Sequence, residues 1–192
     1  MLATRNPDKG GELAALLKDL GIRIRTLAEF PDAPEVVEDG GTCEANAVKK
    51  AVTIARHTKL PAAADDTGLM VEALGGRPGV HAARYAGDGA TYGDNCRKLL
   101  HELAGVPREQ RGARFVTVAA LADPSGKVEV VEGVLDGQIT EAPAGTKGFG
   151  YDPVFFVPEL GKTLAQLMPE EKNRISHRGR AFAKLKELLK RN

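Results

Sequence analysis

Apolar positions along the chain repeat with two different periods, and the switching between them predicts an α/β protein. Leu13, Leu16, Leu17 and Leu20 recur at i, i+3, i+4 and i+7, which predicts a helix from about Asp8 to Leu20 that stops at Gly21. Only a stub of strand precedes it. Ile22 to Leu27 alternates apolar and basic residues, the period of a half-buried strand, and the acidic, proline-containing stretch from Phe30 to Gly41 reads as a loop. Val48, Ala51, Val52 and Ala55 mark a second helix whose polar face shows Lys49 and Lys50.

Ala62 to Asp65 reads as a short strand, and Gly75-Gly76-Arg77-Pro78-Gly79 as a glycine-rich loop leading to Tyr85. Cys96, Leu99, Leu100 and Leu103 predict a third helix. Ala113 to Leu121 and Val128 to Ile139 are rich in β-branched residues and flank Asp123-Pro124-Ser125-Gly126, the pattern of an antiparallel hairpin. A strand from Val154 to Val157 and a closing helix lined by Phe182, Leu185, Leu188 and Leu189 complete the chain. The expected fold is α/β, with a mixed, partly antiparallel sheet, flanking helices and two lobes around a central cleft. Residues 1–192 are expected to form a single domain of two lobes.

Composition narrows the function classes. A net charge of +1 with 28% charged residues leaves no basic footprint for nucleic acid or an anionic membrane. No apolar run approaches the roughly 20 residues of a membrane helix, so a cytoplasmic protein is expected. Cys43 and Cys96 are too few for a disulfide framework and lack C-x-x-C spacing, so reduced thiols outside any metal site are expected.

Candidate chemistry centres on Asp65-Asp66, which follows Leu60-Pro61-Ala62-Ala63-Ala64 and precedes Thr67-Gly68. Paired carboxylates at a strand's carboxyl end suit a divalent cation, with one carboxylate left to activate water. The same residues also make an ordinary turn. Thr4-Arg5-Asn6-Pro7-Asp8-Lys9 opens a helix, whose N-terminal N–H groups attract phosphate, although an Asn cap followed by Pro accounts for part of the pattern. Glu38 lies ahead of the helix carrying Lys49 and Lys50, and could share a cation with the aspartates or be a solvated charge. Gly148-Phe149-Gly150-Tyr151-Asp152-Pro153 offers a stacking face and an acceptor for a flat ligand, or a turn into a strand with core aromatics. Ser176 suits a helix cap, while His177 and Arg178 carry donors suited to a base carbonyl.

Taken in order, Ala3-Thr4-x-Asn6-x-x-Lys9, Ala64-Asp65-Asp66-Thr67-Gly68, Gly75-Gly76-x-Pro78-Gly79, Gly148 to Pro153 and Glu171-Lys172-x-x-x-Ser176-His177-Arg178-Gly179 resemble the inosine triphosphate pyrophosphatase family, the dITP/XTP pyrophosphatases. The resemblance runs from Met1 to the last helix. It implies a homodimer, Mg²⁺, and hydrolysis of ITP, dITP and XTP to monophosphate and pyrophosphate. It also assigns Thr4, Arg5, Asn6, Pro7, Asp8 and Lys9 to phosphate binding, Glu38 and Asp66 to the metal, and Asp66 with Asp65 to catalysis. Thr67, Phe149, Gly150, Tyr151, Asp152, Lys172, His177 and Arg178 match nucleotide contacts, and Lys50 falls where a helix lysine faces the phosphates.

Some positions depart from the family pattern. Arg5 stands where many relatives have Gly, Thr67 where Ser is more usual, and Glu44 lies one residue earlier than the Glu usually found directly before Asn46. Selection of a 6-oxopurine would follow from donors on His177, Arg178 and the backbone, because adenine presents an amino group there. Two rivals remain at this level. One is a pyrophosphatase for modified pyrimidine or methylated nucleotides, and the other a nucleotide-sensing module without turnover.

Overall fold

Asn6 and Pro7 start the first helix. The Asn6 side chain accepts from the N–H groups of Asp8 and Lys9, and proline's fixed φ suits the first helical position. The computed structural model describes residues 1–191, and in it helix α1 covers Pro7–Leu17. A 3₁₀ turn, Lys18–Leu20, extends it to Gly21, whose φ of 65° is left-handed and ends the helix at the predicted residue.

The stretch from Ile22 to Leu27 does not form the expected ladder. Leu2 bridges Thr26 and Ala63, each in parallel, and Thr26 is the only residue of that stretch in a bridge. Among the described residues the segment beside it engages through Leu2 alone, so the alternation supplied a face without a strand to pair with.

Helix α2 spans Cys43–Thr58 and is capped by Thr42, which accepts from the Ala45 N–H. Its buried stripe comprises Cys43, Asn46, Ala47, Lys50, Ala51, Ile54 and Ala55. Lys49 is exposed as expected, but Lys50 lies on the buried face, a correction explained by the carboxylates it meets.

The larger correction concerns the aspartates. Strand β1 runs Ala62–Val71, straight through Asp65-Asp66 and Thr67-Gly68, so the pair sits in mid-strand rather than on a turn. Leu69 and Met70 beyond it pair antiparallel with Gly79 and Pro78 of β2 (Pro78–Gly79), and this ladder carries the strand past the acidic residues. With β3 (Gly112–Ala122), β4 (Val128–Ile139), β5 (Phe155–Val157) and β6 (Lys162–Thr163), the sheet order is β2-β1-β3-β4-β5-β6. β4 with β5 and β5 with β6 are antiparallel, which together with the parallel bridges of Leu2 makes a mixed α/β protein. Asp123 closes the β3–β4 turn by accepting from the Ser125 and Gly126 N–H groups.

Two compact units divide the chain. The first comprises Met1–Asp66, Thr117–Gly133 and the segment from His177 onward. In its core, Leu13 and Leu17 of α1 meet Leu2, Ala63, Leu121, Phe182 and Leu185, the last two from helix α5 (His177–Leu189). The second comprises Thr67–Val116 and Val134–Ser176. Its core gathers Leu69, Leu99, Leu103, Phe115, Phe155 and Leu164, with helices α3 (Tyr92–Glu102) and α4 (Pro169–Ile175) contributing. Among the described residues, no helix is long and apolar enough to cross a membrane.

Candidate active site

Consecutive residues of a strand point to opposite faces, so β1 hands its two carboxylates to different surroundings. Asp65 meets α1 and α5. Arg178 donates to Asp65 Oδ2 from Nε and from Nη2, both at 3.1 Å, and Lys9 Nζ lies 3.5 Å from the same oxygen. Arg178 Nη1 donates to Glu12 Oε2 at 2.6 Å. Burial alone would push the Asp65 pKa up, but the charges of Lys9, Arg178 and Lys50 outweigh it and hold the carboxyl below the usual carboxylate range. Asp65 is therefore a fixed anion.

Asp66 meets α2. Asn46 Nδ2 donates to Asp66 Oδ2 at 3.1 Å, and Lys50 Nζ lies 3.7 Å from Oδ1. Lys50 also donates to Glu38 Oε1 at 2.9 Å, so one ammonium stands between two carboxylates. Burial raises the Asp66 pKa above its ordinary value and nearby Glu38 adds to this, against the opposing pull of Lys50, Lys9 and the Asn46 hydrogen bond. The two neighbours thus differ in kind: Asp65 is held as the anion, whereas burial pushes Asp66 toward the protonated form.

Glu38 and Asp66 suit a hard divalent cation. Both already reach a single cationic group, Lys50 Nζ, and both offer the oxygen donors that Mg²⁺ prefers. Among the described residues no cluster of three or more His, Cys, Asp or Glu is arranged to hold a metal. Two carboxylates supplemented by water and substrate phosphate is the usual arrangement for Mg²⁺.

The segment from Thr4 to Lys9 is capped from within, as an Asn followed by Pro leads one to expect. The N–H groups of Asp8 and Lys9 donate to Asn6 Oδ1, and the Gly10 N–H donates to the Asn6 carbonyl, so the helix start is satisfied internally. Thr4 Oγ1 accepts from the Asn6 N–H at 3.2 Å, and Pro7 has no N–H to offer. The Lys9 ammonium of this segment lies 3.5 Å from Asp65 Oδ2. Arg5 Nη2 donates to the Ala33 carbonyl at 2.6 Å and ties down the acidic loop that carries Glu38.

A second cluster lies within the second unit. Asp152 is buried, and its Oδ2 accepts from the Phe149 N–H at 2.9 Å and from Lys172 Nζ at 2.6 Å. Asp152, expected to offer an acceptor to a ligand, uses Oδ2 to hold the Phe149 backbone and the Lys172 ammonium. The Lys172 ammonium lies 4.7 Å from the Phe149 ring centroid, and Tyr92 packs against the same ring at a centroid separation of 5.9 Å. Gly148 must be glycine: its φ is 72° and a Cβ would come within 2.0 Å of Asp152 Oδ2. Tyr151, expected at the nucleotide, is a core residue whose hydroxyl donates to the Ala82 carbonyl at 2.8 Å. The Gly150 carbonyl accepts from Cys96 Sγ at 3.4 Å, and Thr67 is half-buried on β1 directly after Asp66. His177 is buried at the first position of α5, beside Arg178.

Glu12 and Asn46 were not singled out as site residues by sequence reasoning. Glu12 gave no signal, since an acidic residue in an amphipathic helix usually faces solvent. Asn46 gave a faint one: it precedes Lys50 by four residues and so shares its helix face. Elsewhere in the second unit a pocket of about 340 Å³ is lined by Arg108, Gln138, Thr140, Glu141, Phe156 and others, without paired carboxylates.

The fold is mixed α/β, and its acidic cluster sets two carboxylates, buried Asp66 and half-buried Glu38, on either side of the Lys50 ammonium. The chain belongs to the Ham1 family, which matches it over residues 1–188. The family resemblance read from the separated motifs is thereby borne out. The dITP/XTP pyrophosphatase of Geobacillus kaustophilus is 55% identical over 97% of this chain and 92% of its own length. The protein of the same name from Geobacter sulfurreducens is 53% identical over 98% of this chain and 95% of its own length. Among solved structures, a HAM1 protein from Coxiella burnetii superimposes with a TM-score of 0.89 at 41% identity, covering 100% of this chain and 98% of that one.

Proposed function

We propose that this protein is a nucleoside triphosphate pyrophosphohydrolase that removes non-standard purine nucleotides, dITP, ITP and XTP, from the nucleotide pool. The observation that carries the reading is Asp66, a carboxylate with a raised pKa placed between Asn46 and Lys50 with Glu38 across the ammonium. Support for the substrate comes from relatives at about half identity over nearly the whole chain that bear the name dITP/XTP pyrophosphatase.

The reaction joins a water oxygen to the α-phosphorus and breaks the bond from that phosphorus to the bridging oxygen, so pyrophosphate leaves with the bond's electron pair. Asp66 accepts the water proton. Lys50 and Lys9 offset the charge of the triphosphate, and Asp65, held by Arg178, keeps Lys9 near the strand. Glu38 and Asp66 would hold Mg²⁺, which supplies Lewis-acid neutralisation of the phosphates when bound. The stacking face assigned to the base is the Phe149 ring, oriented by Asp152 and backed by Lys172. His177 is the proposed donor to the 6-oxo group, since the Arg178 guanidinium is engaged by Asp65 and Glu12. Cytoplasmic location and a homodimer are part of the proposal and rest on the family resemblance; size-exclusion chromatography with light scattering tests the dimer.

The decisive experiment is product analysis with dITP and Mg²⁺. Monophosphate and pyrophosphate are expected, with turnover lost in Asp66→Asn at unchanged circular dichroism. Orthophosphate as the product, preference for modified pyrimidines across a substrate panel, or tight binding without turnover would each reject the reading.

A further inference from the structure

Asn46 is 2% exposed and uses both ends of its amide. Its Oδ1 accepts from the Gly40 N–H at 2.8 Å, and its Nδ2 donates to Asp66 Oδ2 at 3.1 Å. The Gly40 N–H must meet an oxygen, so the amide has one orientation only, with its NH₂ toward the carboxylate. One turn later, Lys50 repeats the arrangement, reaching Glu38 in the same loop and Asp66 on the same strand. Asn46 and Lys50 thus form two rungs between the loop that carries Glu38 and the strand that carries Asp66.

The rungs differ in kind. The Lys50 rung is a flexible chain with a point charge, which incoming phosphate can draw away. The Asn46 rung is short, neutral and buried. Gly40 completes it, because a Cβ there would lie 2.7 Å from Asn46 Oδ1 and 2.8 Å from the Ala45 Cβ, leaving no room for a larger residue. We infer that Asn46 is a positioning residue that holds the Glu38 loop against Asp66, so that both carboxylates stay directed at one cation before nucleotide arrives. This deepens the function proposed above and rests on that reading for its catalytic consequence. The polar partner behind a metal-binding carboxylate commonly controls affinity in this way.

Three variants separate the parts of the inference. Asn46→Ala removes both hydrogen bonds. Asn46→Asp keeps an acceptor for Gly40 but replaces the donor to Asp66 with an acceptor. Gly40→Ala disturbs the loop side without altering any group that touches Asp66. Two measurements use protein without nucleotide: hydrogen exchange of the 38–41 backbone, and Mn²⁺ titration followed by electron paramagnetic resonance. Asn46→Ala and Gly40→Ala are expected to speed exchange at Gly40 and weaken Mn²⁺ binding by roughly 10–100-fold. Asn46→Asp is expected to leave the loop protected while lowering kcat for dITP by a comparable factor.

Unchanged exchange and an unchanged Mn²⁺ titration in folded Asn46→Ala would overturn the inference. Failure of the wild type to hydrolyse dITP would instead sink the functional reading, and the exchange and Mn²⁺ results would still decide the role of Asn46. If Asn46→Ala does not fold, Gly40→Ala decides: normal exchange and normal Mn²⁺ binding there would overturn the inference.

Discussion

Arg178 grips Asp65 across 113 residues of chain, with Nε and Nη2 both converging on a single carboxylate oxygen while Nη1 holds Glu12. Charges removed from water this completely are stable only together, so deleting one partner leaves the other buried without its counter-charge. Asp65→Asn is expected to cost about 3–5 kcal/mol, toward the lower end because Glu12 still faces the guanidinium. Urea unfolding measures it, and a cost below that of an ordinary surface change would contradict the arrangement.

Acid should weaken the same interaction. The Asp65 pKa in the folded protein lies below the ordinary 3.8, because Lys9, Arg178 and Lys50 overcome the upward push of burial. A lowered folded pKa means that the unfolded chain takes up the proton first. The stabilisation is therefore complete above about pH 4 and lost as pH falls toward the lowered value. The stability difference between wild type and Asp65→Asn should narrow below about pH 4, and a constant gap down to pH 2 would count against it.

Gly133 lies on β4 where that strand passes the start of α5. A Cβ there would come within 2.1 Å of the His177 carbonyl oxygen and 2.3 Å of the Ala181 nitrogen, backbone atoms that cannot swing aside. Replacing glycine in a strand ordinarily helps by restricting the unfolded chain, by about 0.4–1 kcal/mol. Here Gly133→Ala should destabilise by about 1–3 kcal/mol and, by displacing His177, weaken selection of dITP over dATP. Thermal melting gives the sign directly.

Phe149 is braced by Asp152 through its backbone, by Tyr92 and by Lys172. Loss of a stacking aromatic typically costs about 1–3 kcal/mol per base. Phe149→Ala should therefore raise KM for dITP by about 5–150-fold with a smaller change in kcat. Steady-state kinetics separates the two, and an equal fall in kcat with KM unaltered would move Phe149 out of the binding role.

Chelation tests the pairing of Glu38 with Asp66. Excess EDTA should abolish pyrophosphate release and added Mg²⁺ restore it, while Lys50→Met should lower kcat by about 10²-fold even at saturating Mg²⁺. Full turnover in EDTA would remove the divalent cation from the proposal.

The helices and the long hairpin were legible because each carries its own period, as at Leu13, Leu16 and Leu17 or along Val128 to Ile139. The strand through Asp65 was harder. Asp and Gly disfavour strands, so the local sequence argued for a turn, and only Lys9 and Arg178 on one side with Asn46 and Lys50 on the other make two adjacent carboxylates tolerable in mid-sheet. Lys50 was misread for the same reason: nothing within α2 reveals that Glu38 and Asp66 will draw its ammonium inward. Motif order brought out most of the candidate residues, but not their division of labour. Which of them touch each other is decided by partners far away in sequence, as with Glu12 and Arg178.

The pleat of β1 has an evolutionary corollary. Because the two aspartates are chemically identical, their different duties are written nowhere in their side chains, only in which way each one points. Insertion or deletion of one residue just before Ala62 would leave the motif intact to the eye while handing each carboxylate to the other's surroundings. The dipeptide can therefore drift in neighbouring positions far more readily than the strand can drift in phase. Relatives should tolerate substitutions around the pair while excluding odd-numbered shifts between it and the strand's start.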